Sequence, residues 1–110
     1  MTDSRGGAHR LANPVLADGE MTAVEVDGEA LLLCRIEGAY YALRDMCSHA
    51  DQALSEGRLR GNTVYCPLHG ARFDVRTGDC LARPATENVQ SYRVEEDGEE
   101  LIVTPSREEA

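Results

Sequence analysis

Apolar and polar positions alternate in short runs along most of the chain, and Gly, Asp and Asn break the runs before any helix could form. Residues 21–26 read as a strand, Asp27-Gly28 as a hairpin turn, and residues 30–36 as the partner strand. Glu37-Gly38 turns the chain again into a strand over 40–43. Toward the C-terminus, 89–95 and 100–104 flank a further hairpin turn at Asp97-Gly98. Thr63-Val64-Tyr65 is another short strand. No stretch repeats apolar residues at i, i+3 and i+4, and residues 51–55 form at most one helical turn. The pattern predicts an all-β fold built from antiparallel strands.

With 110 residues, one domain over 1–110 is expected. The formal charge is −9, from twenty acidic residues against eleven arginines and no lysine. Such a chain repels phosphate backbones, so no nucleic-acid partner is expected. No membrane segment is expected either, because the apolar run 30–34 is far shorter than the roughly 20 residues of a spanning helix. Residues 1–19 contain no apolar signal core, which points to a cytoplasmic protein. There, cysteines serve more often as metal ligands, catalytic groups or buried apolar residues than as disulfides.

The segment from Arg44 to Arg83 differs from the rest. It holds six Arg against five acids, whereas the remaining residues hold five Arg against fifteen acids. It also contains two short motifs, Cys47-Ser48-His49 and Cys66-Pro67-Leu68-His69, with sixteen residues between His49 and Cys66. Each pairs a soft thiolate with an imidazole, and a tight loop lets both converge on one centre. A structural zinc site accepts two Cys and two His. Zinc modules, however, commonly group the Cys pair at one end and the His pair at the other. Loops that mix the two suit a two-iron cluster, with both Cys on one iron and both His on the other. Cys47, His49, Cys66 and His69 are therefore the candidate ligands of one 2Fe-2S cluster.

These motifs, continued through Gly70-Ala71-Arg72-Phe73-Asp74, resemble the Rieske-type 2Fe-2S ferredoxins of bacterial aromatic-ring-hydroxylating dioxygenase systems. The resemblance implies the Rieske fold: an antiparallel β-sheet base with a small inserted cluster-binding subdomain, at about 44–84. It also implies a monomeric electron shuttle without catalysis of its own, taking electrons from a flavin-dependent NAD(P)H reductase and passing them to a terminal Rieske oxygenase. The terminal oxygenase itself is excluded, because its mononuclear iron needs two further His and only His9 remains. Two alternatives stay open: a Rieske-like small subunit of a reductase such as nitrite reductase, and a structural zinc-binding interaction module. The related proteins of respiratory complexes carry an extra Cys in each ligand loop and place Ser and Tyr hydroxyls near the cluster. Asp51, Leu68, Ala71 and Phe73 stand at the matching positions here. Without hydroxyl donors to the sulfurs the reduced cluster is less stabilised. The resemblance thus implies a potential in the lower part of the roughly −150 to +300 mV Rieske range.

Other residues have plainer readings. Cys34 shares a strand face with Leu32 and Ile36 and is expected to pack in the core. Cys80 is expected to be a thiol near the cluster segment, and a Cys34–Cys80 disulfide is disfavoured in a reducing compartment. His9 is expected at the surface. Arg72, Arg76 and Arg83 are either docking or solvated residues, and Pro84 either shapes a third loop beside the cluster or begins a turn. The acidic run 95–100 is expected to be a solvated hairpin end.

Overall fold

The computed structural model describes residues 8–26, 28–47, 52–67, 71–82 and 88–105. In chain order the strands are β1 (His9–Ala12), β2 (Met21–Val26), β3 (Glu29–Ile36) and β4 (Ala39–Arg44). A single 3-10 turn (Leu54–Glu56) then leads into β5 (Arg58–Arg60), β6 (Thr63–Tyr65), β7 (Arg72–Asp74) and β8 (Cys80–Ala82). The last two strands are β9 (Ser91–Asp97) and β10 (Glu100–Pro105). They form a six-stranded antiparallel sheet in the order β1-β10-β9-β4-β3-β2 and a four-stranded antiparallel sheet in the order β5-β6-β7-β8. The small sheet is inserted in the chain between β4 and β9.

The hairpins follow from turn chemistry. Glu37 and Gly38 both take positive φ (51° and 84°), as a tight primed turn between Ile36 and Ala39 requires. In the last hairpin the turn falls at Gly98-Glu99, because Asp97 pairs with Glu100. The predicted turn at Asp97-Gly98 is displaced by one residue: Gly98, with φ 66°, takes the first turn position rather than the second.

The apolar run in β3 explains how the two sheets meet. Leu31, Leu32, Leu33 and Cys34 are each at most 1% exposed, so this internal strand is buried on both faces. Leu33 packs with Leu16, Tyr40, Ala42 and Leu101, and Leu31 with Val26 and Val103. Leu32 and Cys34, on the opposite face, join Leu43 to Val64, Phe73 and Val75 of the small-sheet segment. One continuous apolar layer thus fixes the insert to the base. Among the described residues no helix is long and apolar enough to cross a membrane.

Candidate metal centre

The first candidate ligand loop leaves the large sheet at the end of β4. The Arg44 N–H donates to the Gln90 carbonyl at 2.9 Å and the Asp45 N–H to that of Ala30 at 3.0 Å, so the sheet holds the chain to within two residues of Cys47. The Met46 N–H then donates to the Arg44 carbonyl at 2.9 Å, a tight turn centred on Asp45. The Cys47 N–H donates to the Gln52 carbonyl at 2.9 Å and closes a loop over positions 48–51.

The second loop is closed the same way. It begins at the end of β6, and the Cys66 N–H donates to the Ala71 carbonyl at 2.7 Å across positions 67–70. Each closure runs from residue i to residue i+5, and each spans one candidate histidine in sequence. His49 and His69 themselves lie outside the described residues, as do Asp51, Leu68 and Pro84. Cys47 and Cys66 are both 2% exposed and belong to one buried cluster with Leu32, Leu54, Val64, Ala71 and Phe73. Two soft sulfur donors, one from each loop and both shielded from water, fit a thiolate-bound iron centre. Ala71 and Phe73 are fully buried and carry no hydroxyl.

Three residues that sequence reasoning missed shape these loops. Asp45 is only 6% exposed, the sole buried charged side chain among the described residues. Its two oxygens accept the Ser55 N–H and the Ser55 hydroxyl, each at 2.7 Å, so the two ends of the first loop are tied together. Gly57 lies so close to β6 that a Cβ there would meet the Tyr65 carbonyl oxygen at 1.8 Å. The signals were an Asp two residues before a candidate ligand Cys and the Ser-Glu-Gly run that follows. Neither is distinctive in sequence alone.

The remaining cysteines are placed as expected. No disulfide joins any of the four. Cys34 is buried, its thiol donates to the Tyr41 carbonyl at 3.7 Å, and burial pushes its pKa up to about 12. Cys80 is half-buried against the same apolar cluster, with its N–H held by the Asn88 side chain at 2.8 Å. His9 lies on β1 opposite Val103, partly buried rather than fully at the surface, because β1 pairs with the edge of β10.

The arginines divide. The Arg76 guanidinium closes on Asp74 two residues earlier (3.0 and 3.2 Å), and that hydrogen bond holds the Asp74 carboxyl below its ordinary range. Arg76 is therefore committed to its own turn. Arg72 lies over the Tyr65 ring, 5.8 Å from its centroid. Arg83 falls outside the described residues. The hairpin end after Val94 is exposed, with Arg10 bridging Asp97 and Glu100 at 3.0 and 2.9 Å.

Comparison with known proteins bears on this site. Residues 11–93 match the family model described as the Rieske [2Fe-2S] domain. The ferredoxin component of biphenyl 2,3-dioxygenase from Rhodococcus jostii is 44% identical over 88 residues, which cover 80% of this chain and 82% of that protein. The ferredoxin of carbazole 1,9a-dioxygenase from Nocardioides aromaticivorans superposes with a TM-score of 0.81 at 37% identity, covering 89% of this chain and 96% of that one. A ferredoxin solved in complex with the reduced oxygenase of carbazole 1,9a-dioxygenase superposes with a TM-score of 0.83 at 29% identity, covering 96% and 100%.

Proposed function

Since the chain belongs to the Rieske [2Fe-2S] domain family, we propose that Cys47, His49, Cys66 and His69 hold its one Rieske-type 2Fe-2S cluster and that the protein is the ferredoxin of an aromatic-ring dioxygenase system. The observation that carries this reading is the matched pair of loops. Two buried cysteines from two separate loops are each followed by the same i to i+5 closure, and a histidine stands inside each closure in sequence. The zinc-module alternative falls with the family assignment, and the curated relatives favour a dioxygenase ferredoxin over a nitrite reductase subunit.

When bound, the cluster supplies a centre that takes up and releases one electron. The chain's own residues do the rest. Cys47 and Cys66 would supply thiolates from an apolar layer that excludes water, and His49 and His69, which fall inside the two closures in sequence, would supply imidazoles. The apolar setting and the absence of a hydroxyl at Ala71 and Phe73 disfavour added negative charge, which supports a potential low in the Rieske range. The protein is a cytoplasmic monomer that accepts electrons from a flavoprotein reductase using NAD(P)H and delivers them to a terminal Rieske oxygenase. The segment at about 44–84 is its cluster-binding subdomain.

The test is reconstitution of electron flow. NADH, a flavoprotein reductase and the biphenyl oxygenase of Rhodococcus jostii are combined with and without this protein. Product that appears only with it supports the shuttle role. Loaded protein that reduces at the flavoprotein yet never reoxidises at an oxygenase would contradict it.

A further inference from the structure

We infer that Asp45 is a positioning residue for the first ligand loop: with Ser55 it forms a clamp that sets Cys47 for cluster binding. This rests on the ligand assignment above but goes beyond it, because Asp45 contributes no atom to the cluster. A charged side chain in an apolar layer is costly and persists where both its oxygens are satisfied. Both are, at 2.7 Å, and both by Ser55, ten residues away.

The placement makes the clamp specific to the loop. Asp45 is anchored from behind by its own N–H to the Ala30 carbonyl of β3, and Ser55 lies in the 3-10 turn whose Leu54 side chain is fully buried. Cys47 lies between these two fixed points, and its N–H closes the inner turn on Gln52. Removing the Asp45 side chain breaks both of its bonds to Ser55, and the two ends of the loop are no longer tied through it.

The experiment uses the cluster-loaded protein and three variants. Asp45→Ala removes both acceptors. Asp45→Asn keeps an oxygen for the Ser55 N–H and offers an N–H to the Ser55 hydroxyl. Ser55→Ala removes only the hydroxyl bond. The first readout is the rate at which an iron chelator strips the cluster; the second is the EPR line shape of the reduced protein.

Asp45→Ala is expected to lose its cluster about tenfold faster or more, with shifted and broadened EPR features. Asp45→Asn is expected to restore most of both, and Ser55→Ala to fall between. Asp45→Ala with a lowered melting temperature but wild-type stripping rate and EPR would overturn the inference, leaving Asp45 a purely structural residue. If Asp45→Ala does not fold, Ser55→Ala decides: faster stripping supports the clamp and an unchanged rate refutes it. Were the ligand assignment itself wrong, the wild type would lack a two-iron EPR signal or would show one without two histidine nitrogen couplings, a failure separate from that of the clamp.

Discussion

Replacing Gly57 by Ala perturbs the site without touching a candidate ligand. The Gly57 N–H donates to the Leu54 carbonyl at 2.9 Å and ends the 3-10 turn. An added Cβ would stand 1.8 Å from the Tyr65 carbonyl oxygen, 3.0 Å from its carbon and 3.2 Å from Pro67 Cδ. Ordinary contact demands that the two backbones separate by about 1.5 Å, and neither is the free end of a side chain. Overpacking costs about 1–3 kcal/mol, and a clash with backbone belongs at the upper end of that range. For a domain of this size the melting temperature should fall by about 10–20 °C.

The displaced peptide is the one that enters Cys66, so iron content should fall as well. Gly98→Ala is the control. Nothing lies within 4 Å of its added Cβ, but its φ of 66° costs about 1 kcal/mol, so it should lower stability modestly and leave iron content intact. Thermal melts and iron assays on both variants decide the matter. A Gly57→Ala protein with wild-type melting temperature and full iron would refute the close-packing argument.

Ala71→Ser and Phe73→Tyr restore hydroxyl donors at two fully buried positions, and each should raise the midpoint potential in a redox titration; unchanged potentials would show that these positions do not tune the cluster. Burial raises the Cys34 thiol from 9.0 to about 12, so the folded state keeps a proton that the unfolded chain gives up. Its stabilising contribution is complete below about pH 9 and is lost as pH rises toward 12. Melting temperature should fall across that window less steeply in Cys34→Ala than in wild type. The Arg10 pairs with Asp97 and Glu100 join half-exposed groups, so Arg10→Ala should leave the midpoint of a denaturant titration nearly unchanged.

The hairpins were legible because their turns are local. Asp27-Gly28 and Glu37-Gly38 carry turn chemistry within two residues, and the strands beside them followed. β1 escaped notice because His9–Ala12 has no turn signal of its own and becomes a strand only against the edge of β10. β5, β7 and β8 are three residues each, too short for a period to register, whereas the equally short β6 was legible from its unbroken run of strand-favouring Thr, Val and Tyr. Strand β9 was expected from residue 89 but begins at Ser91, because the Val89 N–H is drawn to the Gly78 carbonyl at 2.8 Å. The two Cys-His motifs stood out because soft donors at fixed spacing have few other uses, and Cys47 and Cys66 do share one buried cluster. The Asp45–Ser55 clamp was not, since it joins two ordinary polar residues that only the folded loop brings together.

The ligand set is tested most directly by pulsed EPR of the reduced protein, grown with ¹⁵N-histidine. Couplings from two iron-bound imidazole nitrogens are expected, one each from His49 and His69. A reduced two-iron signal with one histidine coupling, or with none, would contradict the assignment.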